Sequence, residues 1–172
     1  MKKWVALFSQ TGSEIKRLAI EYDRWPNIIL TNNKNVDEWK DNIPANAIVL
    51  TSLEINDYLI GLENPEDYIV TLHGYLRLLL PEVCEHLEIY NGHPGLITLY
   101  PELKGKDPQE MAWNGTYGMI GSVVHRCTAE LDGGEIVKSV SYVNRCLTKE
   151  DLYNTLKDAS FYAWNFFLKD KL

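Results

Sequence analysis

The run Trp4-Val5-Ala6-Leu7-Phe8-Ser9-Gln10-Thr11-Gly12-Ser13 decides the fold class. Its first five residues are apolar without alternation, which reads as a strand buried on both faces, over residues 4–9. Gln10-Thr11-Gly12 then reads as a turn, and residues 13–22 as a helix. The same unit recurs along the chain. Residues 27–31 and 47–52 read as strands with a short helix over 36–41 between them, and 53–61 is a helical segment. Residues 67–73 and 87–90 are two more strands. Continuous apolar, β-branched runs alternating with helices predict an α/β protein with a parallel sheet.

The pattern changes after residue 90. Residues 91–108 form a long segment holding Pro94, Pro101 and Pro108, with Pro81 upstream at a helix start. Connections of this length inside compact domains are uncommon and often functional. A helix over 108–113 follows. Strands over 118–127 and 135–143 are joined by Ala129-Glu130-Leu131-Asp132-Gly133-Gly134, a turn signal. The last helix spans 148–168, with Thr148 and Asp151 in an N-cap arrangement.

The length of 172 residues suits one domain over 1–172. Apolar residues at 45% and charged residues at 24% exclude a disordered or fibrous chain. A formal net charge of −7 argues against gripping duplex nucleic acid, which takes clustered Lys and Arg. Cys84, Cys127 and Cys146 are widely spaced, with no pattern for a disulfide framework or a zinc site. The apolar run after Met1-Lys2-Lys3 is too short for a signal peptide, and no stretch reaches membrane-spanning length. These features predict a soluble, cytoplasmic protein.

Each polar motif is weak alone. Asn91-Gly92-His93-Pro94 stands just after a strand, where α/β sheets place ligands, but a single His there is commonly structural. Asp132 before two glycines also fits a plain turn. His125 could simply finish a strand, and Leu78 could be core.

Together the motifs resemble those of the folate-dependent formyltransferases, a family that includes glycinamide ribonucleotide formyltransferase and methionyl-tRNA formyltransferase. The family signature N-x-H-P-S-L-L-P reads here Asn91-Gly92-His93-Pro94-Gly95-Leu96-Ile97, with Gly95 in place of Ser and extra residues before Lys104-Gly105. Gly121-Ser122-Val123-Val124-His125 is similar to G-x-T-V-H, and Asp132-Gly133-Gly134 follows seven residues on, at the family spacing. Gly74-Tyr75-Leu76-Arg77-Leu78-Leu79 with Pro81 resembles G-F-M-R-I-L-x-P, and Ser9-Gln10-Thr11-Gly12-Ser13 resembles S-G-N-G-S. The resemblance runs from Trp4 to the last helix, with residues 23–65 trimmed.

The resemblance implies a Rossmann-like formyltransferase fold: a mostly parallel twisted sheet, helices on both faces and antiparallel late strands. It implies transfer of a formyl group from 10-formyl-tetrahydrofolate to a primary amine on a small sugar- or nucleotide-like acceptor. Asn91, His93 and Asp132 would carry the reaction, with His125 behind them. Leu76, Arg77, Leu78 and Leu79 would bind the folate ring from one side, and Leu131, Gly133 and Glu135 from the other. Thr11, Gly12, Ser13 and Glu14 would meet the acceptor. No metal and no covalent nucleophile is required. The partners are a reduced folate and a small amine.

Three alternatives stand beside this reading: hydrolysis of formyl-tetrahydrofolate with the same three residues, an inactive folate-binding module, and a dinucleotide-binding domain. The last is disfavoured, because only Gly12 lies in the first turn and G-x-G-x-x-G is absent. Glu14 stands where the ribonucleotide enzyme has Asn at its phosphate. A Thr11–Glu14 capping box or the charge itself would disfavour a phosphate there, which predicts a different acceptor.

Overall fold

The computed structural model describes residues 1–172, which fall into two compact units, residues 1–91 with 171–172 and residues 92–170. The first unit is built on β1 (Lys3–Phe8), β2 (Ile28–Thr31), β3 (Ile48–Val49), β4 (Tyr68–Leu72) and the start of β5 (Ile89–His93). They lie in the order β3-β2-β1-β4-β5, and every pairing is parallel. From Trp4 to Phe8, β1 is wholly buried, as a strand with neighbours on both edges and cover on both faces must be. Its register sets Leu7 beside Leu72, and β4 in turn sets Leu72 beside Asn91. The carboxyl ends of the three strands therefore reach the same level.

Helix α1 (Ser13–Glu21) buries Ile15, Leu18 and Ala19, the i, i+3, i+4 stripe of an amphipathic helix. Its N-cap is Gly12 at φ 68°, where a Cβ would stand 2.5 Å from Ile43 Cγ1, so both backbone and space require glycine. Helix α2 (Ser52–Ile60) opens with a capping box. Glu54 N–H donates to Thr51 Oγ1 at 3.3 Å, and Thr51 N–H donates to Glu54 Oε2 at 2.7 Å. Helix α3 (Pro81–His86) starts on a proline, which has no N–H to leave unsatisfied. At the opposite end of the sheet, Glu88 holds Lys2, Lys171 at 3.0 Å and the Tyr90 hydroxyl at 3.0 Å.

The second unit contains α4 (Pro108–Asn114), β6 (Met119–Arg126), β7 (Ile136–Val143) and α5 (Lys149–Leu168). β6 and β7 pair antiparallel, with an irregularity between Val124 and His125. α5 lays Leu152, Leu156, Ala159, Ala163 and Trp164 into the core, and the β6 residue Ser122 donates its hydroxyl proton to Leu156 O at 3.0 Å. The Thr148–Asp151 capping box forms as expected. Residues 94–107 are an ordered connection, anchored by buried Leu96, Ile97 and Leu103, the last two packed with Val123.

The parallel strands followed by an antiparallel pair are those of the Rossmann-like α/β fold expected from the sequence. Three expected spans change. The strand expected over 47–52 is only Ile48–Val49, because Thr51 and Ser52 already open α2. The helix expected over 36–41 is a single 3-10 turn, Val36–Glu38. The strand expected to stop at residue 90 continues through Asn91, Gly92 and His93. No helix is long and apolar enough to cross a membrane.

Candidate active site

In the second unit, three residues distant in sequence converge. His93 ends β5, His125 lies near the end of β6, and Asp132 sits in the connection that follows; all three are buried. Asp132 adopts φ 51°, a left-handed turn conformation that Asp tolerates better than most residues. This bend turns its carboxylate inward. Oδ2 accepts the Gly105 N–H at 2.8 Å and lies 3.5 Å from His93 Nδ1, while Oδ1 lies 3.2 Å from His125 Nε2. The other nitrogens face carbonyls: His93 Nε2 donates to Leu103 O at 2.7 Å, and His125 Nδ1 lies 3.0 Å from Arg126 O.

A carbonyl only accepts, so His93 Nε2 carries a proton, and in the neutral ring Nδ1 presents a lone pair. Burial disfavours the imidazolium more than Asp132 and Leu103 favour it, and holds the His93 pKa below its ordinary value. Burial also opposes the charge of Asp132, but hydrogen bonds from His125 and Gly105, together with the nearby imidazoles, win and hold its carboxyl below the ordinary range. The arrangement is an ionised carboxylate beside a basic imidazole nitrogen, a pair able to take and return a proton.

Asn91 is the last residue of the first unit, two residues before His93 on the same strand, and strand alternation gives both side chains the same face. Gly92 between them is packed against α5: a Cβ there would stand 2.6 Å from Trp164 Nε1. Leu131 is 56% exposed, Gly133 and Glu135 are exposed, and the Glu135 carbonyl accepts the Arg126 N–H at 2.8 Å. These three residues bracket Asp132 on its connection.

In the first unit, Leu76, Arg77, Leu78 and Leu79 follow β4 in a segment outside helix and strand that bends at Arg77. Leu76 and Leu78 are 63% and 73% exposed, so the core reading of Leu78 is excluded. Thr11 and Ser13 are exposed beside the buried Gly12, with their hydroxyls 3.2 Å apart.

The Thr11–Glu14 capping box does not form. Gly12 is the N-cap, which makes Glu14 the second helical residue instead of the third after the cap, and Thr11 lies outside the helix. The Glu14 carboxylate instead meets His73 Nδ1 at 2.7 Å, and His73 Nε2 lies 2.8 Å from Thr71 Oγ1, which also accepts from Trp4 Nε1 at 2.8 Å. Glu14 therefore does not block the first-turn amides of α1, and the expectation of a different acceptor keeps only its charge argument. His73 escapes a reading of the sequence; the one hint is a polar ring closing an apolar strand immediately before Gly74. Trp164 escapes it too, since a tryptophan in a helix reads as ordinary core.

Residues 53–164 match the family model described as formyl transferase. A phosphoribosylglycinamide formyltransferase from Campylobacter jejuni superposes with a TM-score of 0.82 at 20% identity, over 99% of this chain and 97% of that one. A 4-N formyltransferase from Francisella tularensis gives 0.77 at 17% identity, over 98% of this chain and 68% of its own. A mitochondrial formyltetrahydrofolate deformylase from Arabidopsis thaliana is 29% identical over 89 residues, 51% of this chain and 26% of that protein. The chain thus matches about a quarter of that relative's length.

Proposed function

The chain belongs to the formyl transferase family, and from that premise we propose that it is an enzyme that moves the formyl group of 10-formyl-tetrahydrofolate to a primary amine on a small sugar- or nucleotide-like acceptor. The observation that carries this reading is the buried Asp132 carboxylate bridging His93 and His125. The reading takes residues 1–172 as one catalytic domain.

Formyl transfer to an amine is acyl transfer. The amine nitrogen adds to the formyl carbon, and the carbonyl oxygen becomes an oxyanion. Asn91 supplies amide N–H groups to that oxygen; such a donor contributes about 3–4 kcal/mol. The amine's proton passes to His93 Nδ1, since Nε2 is committed to Leu103 O. The imidazolium forms beside the ionised Asp132, which stabilises it, and its Nδ1–H becomes a second donor. The bond from the formyl carbon to the folate nitrogen then breaks as that nitrogen receives the proton. The products are a formamide and tetrahydrofolate. His125 and the Gly105 N–H orient the carboxylate.

The donor side rests on residues 76–79. The exposed Leu76 and Leu78 side chains suit a flat ring, and the main chain of Arg77, Leu78 and Leu79 makes no hydrogen bond within the protein, which suits a ring edge of donors and acceptors. Leu131, Gly133 and Glu135 are assigned to the same ring, and Thr11, Gly12, Ser13 and Glu14 to the acceptor.

Similarity to a deformylase supports a second reading, in which water replaces the amine and formate leaves. One assay separates the two. With 10-formyl-tetrahydrofolate and a panel of amino sugars and amino nucleotides, transfer yields a formamide in step with tetrahydrofolate. Hydrolysis yields formate without any amine. Release of tetrahydrofolate under neither condition would overturn both readings.

A further inference from the structure

We infer that Ser9 and Asn56 are positioning residues for the formyl donor: they pin the two ends of residues 76–80 and hold the ring-reading backbone in a binding-competent shape. This rests on the donor site proposed above. At the near end, Ser9 follows β1. Its N–H donates to Gly74 O at 3.2 Å, and its hydroxyl oxygen accepts the Leu76 N–H at 2.9 Å. The hydroxyl has one proton, and it goes to Asn32 Oδ1 at 2.6 Å, so a lone pair is left for Leu76. At the far end, the Leu80 N–H donates to Asn56 Oδ1 at 2.9 Å. Asn56 lies on α2 and is only 6% exposed; its amide group donates to Ser52 O at 2.8 Å, which fixes the oxygen toward Leu80.

Between these anchors Arg77, Leu78 and Leu79 belong to no helix or strand. Their unused main-chain groups are held in place by bonds their neighbours make. A segment tethered only at its ends gains mobility when one tether is cut, and the apparent dissociation constant rises as the binding-competent fraction falls. The tethers come from the turn after β1 and from α2, two elements that contribute nothing else to the proposed ring site.

The experiment measures the dissociation constant for 5-formyl-tetrahydrofolate by calorimetry, with the urea midpoint recorded for each protein. Ser9→Ala and Asn56→Ala each remove a tether, and Ser9→Thr keeps the hydroxyl. The expected result is about a tenfold rise in the dissociation constant for each alanine variant. Ser9→Thr restores binding, and KM for the donor changes while kcat does not.

Leu78→Asp leaves both tethers intact and tests the site itself. Normal folate binding by Leu78→Asp overturns the donor site and the inference with it. Impaired Leu78→Asp beside normal alanine variants overturns the inference alone. Hydrogen exchange in the unaltered protein gives an answer even where a variant does not fold. The Leu76 and Leu80 amides should be protected without ligand, and those of residues 77–79 only with folate. Equal, fast exchange across residues 76–80 in the free protein would contradict the tethers.

Discussion

The two nitrogens of His93 face different partners, and under the proposed mechanism this division makes the reaction sensitive to acid. Nε2 is fixed on Leu103 O, so only a neutral ring offers Nδ1 as a base. With the pKa held below the ordinary His value by burial, the base is competent at neutral pH, and activity should fall only as pH drops through that lowered value. The acid limb of kcat/KM is therefore expected below about pH 6.5, with a slope of about one decade per pH unit. A limb centred above pH 7 would be inconsistent with a neutral, buried His93. Asp132→Asn removes the charge that stabilises the imidazolium and should lower kcat by about 10²–10³-fold with the fold retained; Asn91→Ala should do the same through the oxyanion. Circular dichroism together with single-turnover rates would check both. At this scale the sequence showed the residue types and their spacing, but not their partners. Thr11 and Glu14 satisfy the capping pattern on paper, yet the helix starts one residue later than that pattern needs. His73 then takes the carboxylate in a charge-assisted bond.

Among the elements, the buried strands and amphipathic helices were the most legible, because their apolar periods are set by packing. β1, β4 and α5 fall within a residue or two of their expected bounds. Strand β5 runs three residues past its expected end, because the polar Asn91-Gly92-His93 breaks the apolar run by which a buried strand is read. The glycine is there for another reason. Trp164 on α5 packs against Gly92, and a methyl group there would enter the space of its wholly buried indole. Gly92→Ala should therefore destabilise the protein by about 1–3 kcal/mol, the range for overpacking a filled core. It should also reduce turnover, since the displaced strand carries His93. A urea melt indistinguishable from the unaltered protein would show that the indole has room to move.

Across the whole molecule, the acid response of stability and that of activity should have different origins. Burial opposes the charge of Glu88, but Lys2, Lys171 and Tyr90 outweigh it and hold the carboxyl at about 2, below its unfolded value of about 4.5. A depressed carboxyl stabilises the fold fully above its unfolded pKa and loses that contribution as pH falls from about 4.5 toward 2. Glu88→Gln should flatten this acid decline and lower stability at pH 7 by about 1 kcal/mol, while leaving the pH profile of kcat/KM unchanged. Calorimetric melts between pH 2.5 and 7 would check it; an unchanged slope would mean that the terminal clasp contributes little.

The molecule as a whole also reports on its ligand. Anything that binds only the folded state raises the melting temperature by mass action, whatever the chemistry it later undergoes. A reduced folate present at a hundredfold its dissociation constant stabilises by about 2.7 kcal/mol, which for a chain of this size is a rise of about 5–10 °C. The formyl-folate analogue 5-formyl-tetrahydrofolate should give this shift. The p-aminobenzoylglutamate fragment, which keeps the anionic tail and lacks the pteridine ring, should not, because the proposed donor site assigns that ring to the leucines and open peptides of residues 76–79. The net charge of −7 strengthens the contrast, since an acidic protein offers a bare anionic tail no general attraction. Asp132→Asn should keep the shift while losing turnover, which would separate binding from chemistry in one protein. Stabilisation by the fragment alone, or by neither compound, would remove the donor from residues 76–79.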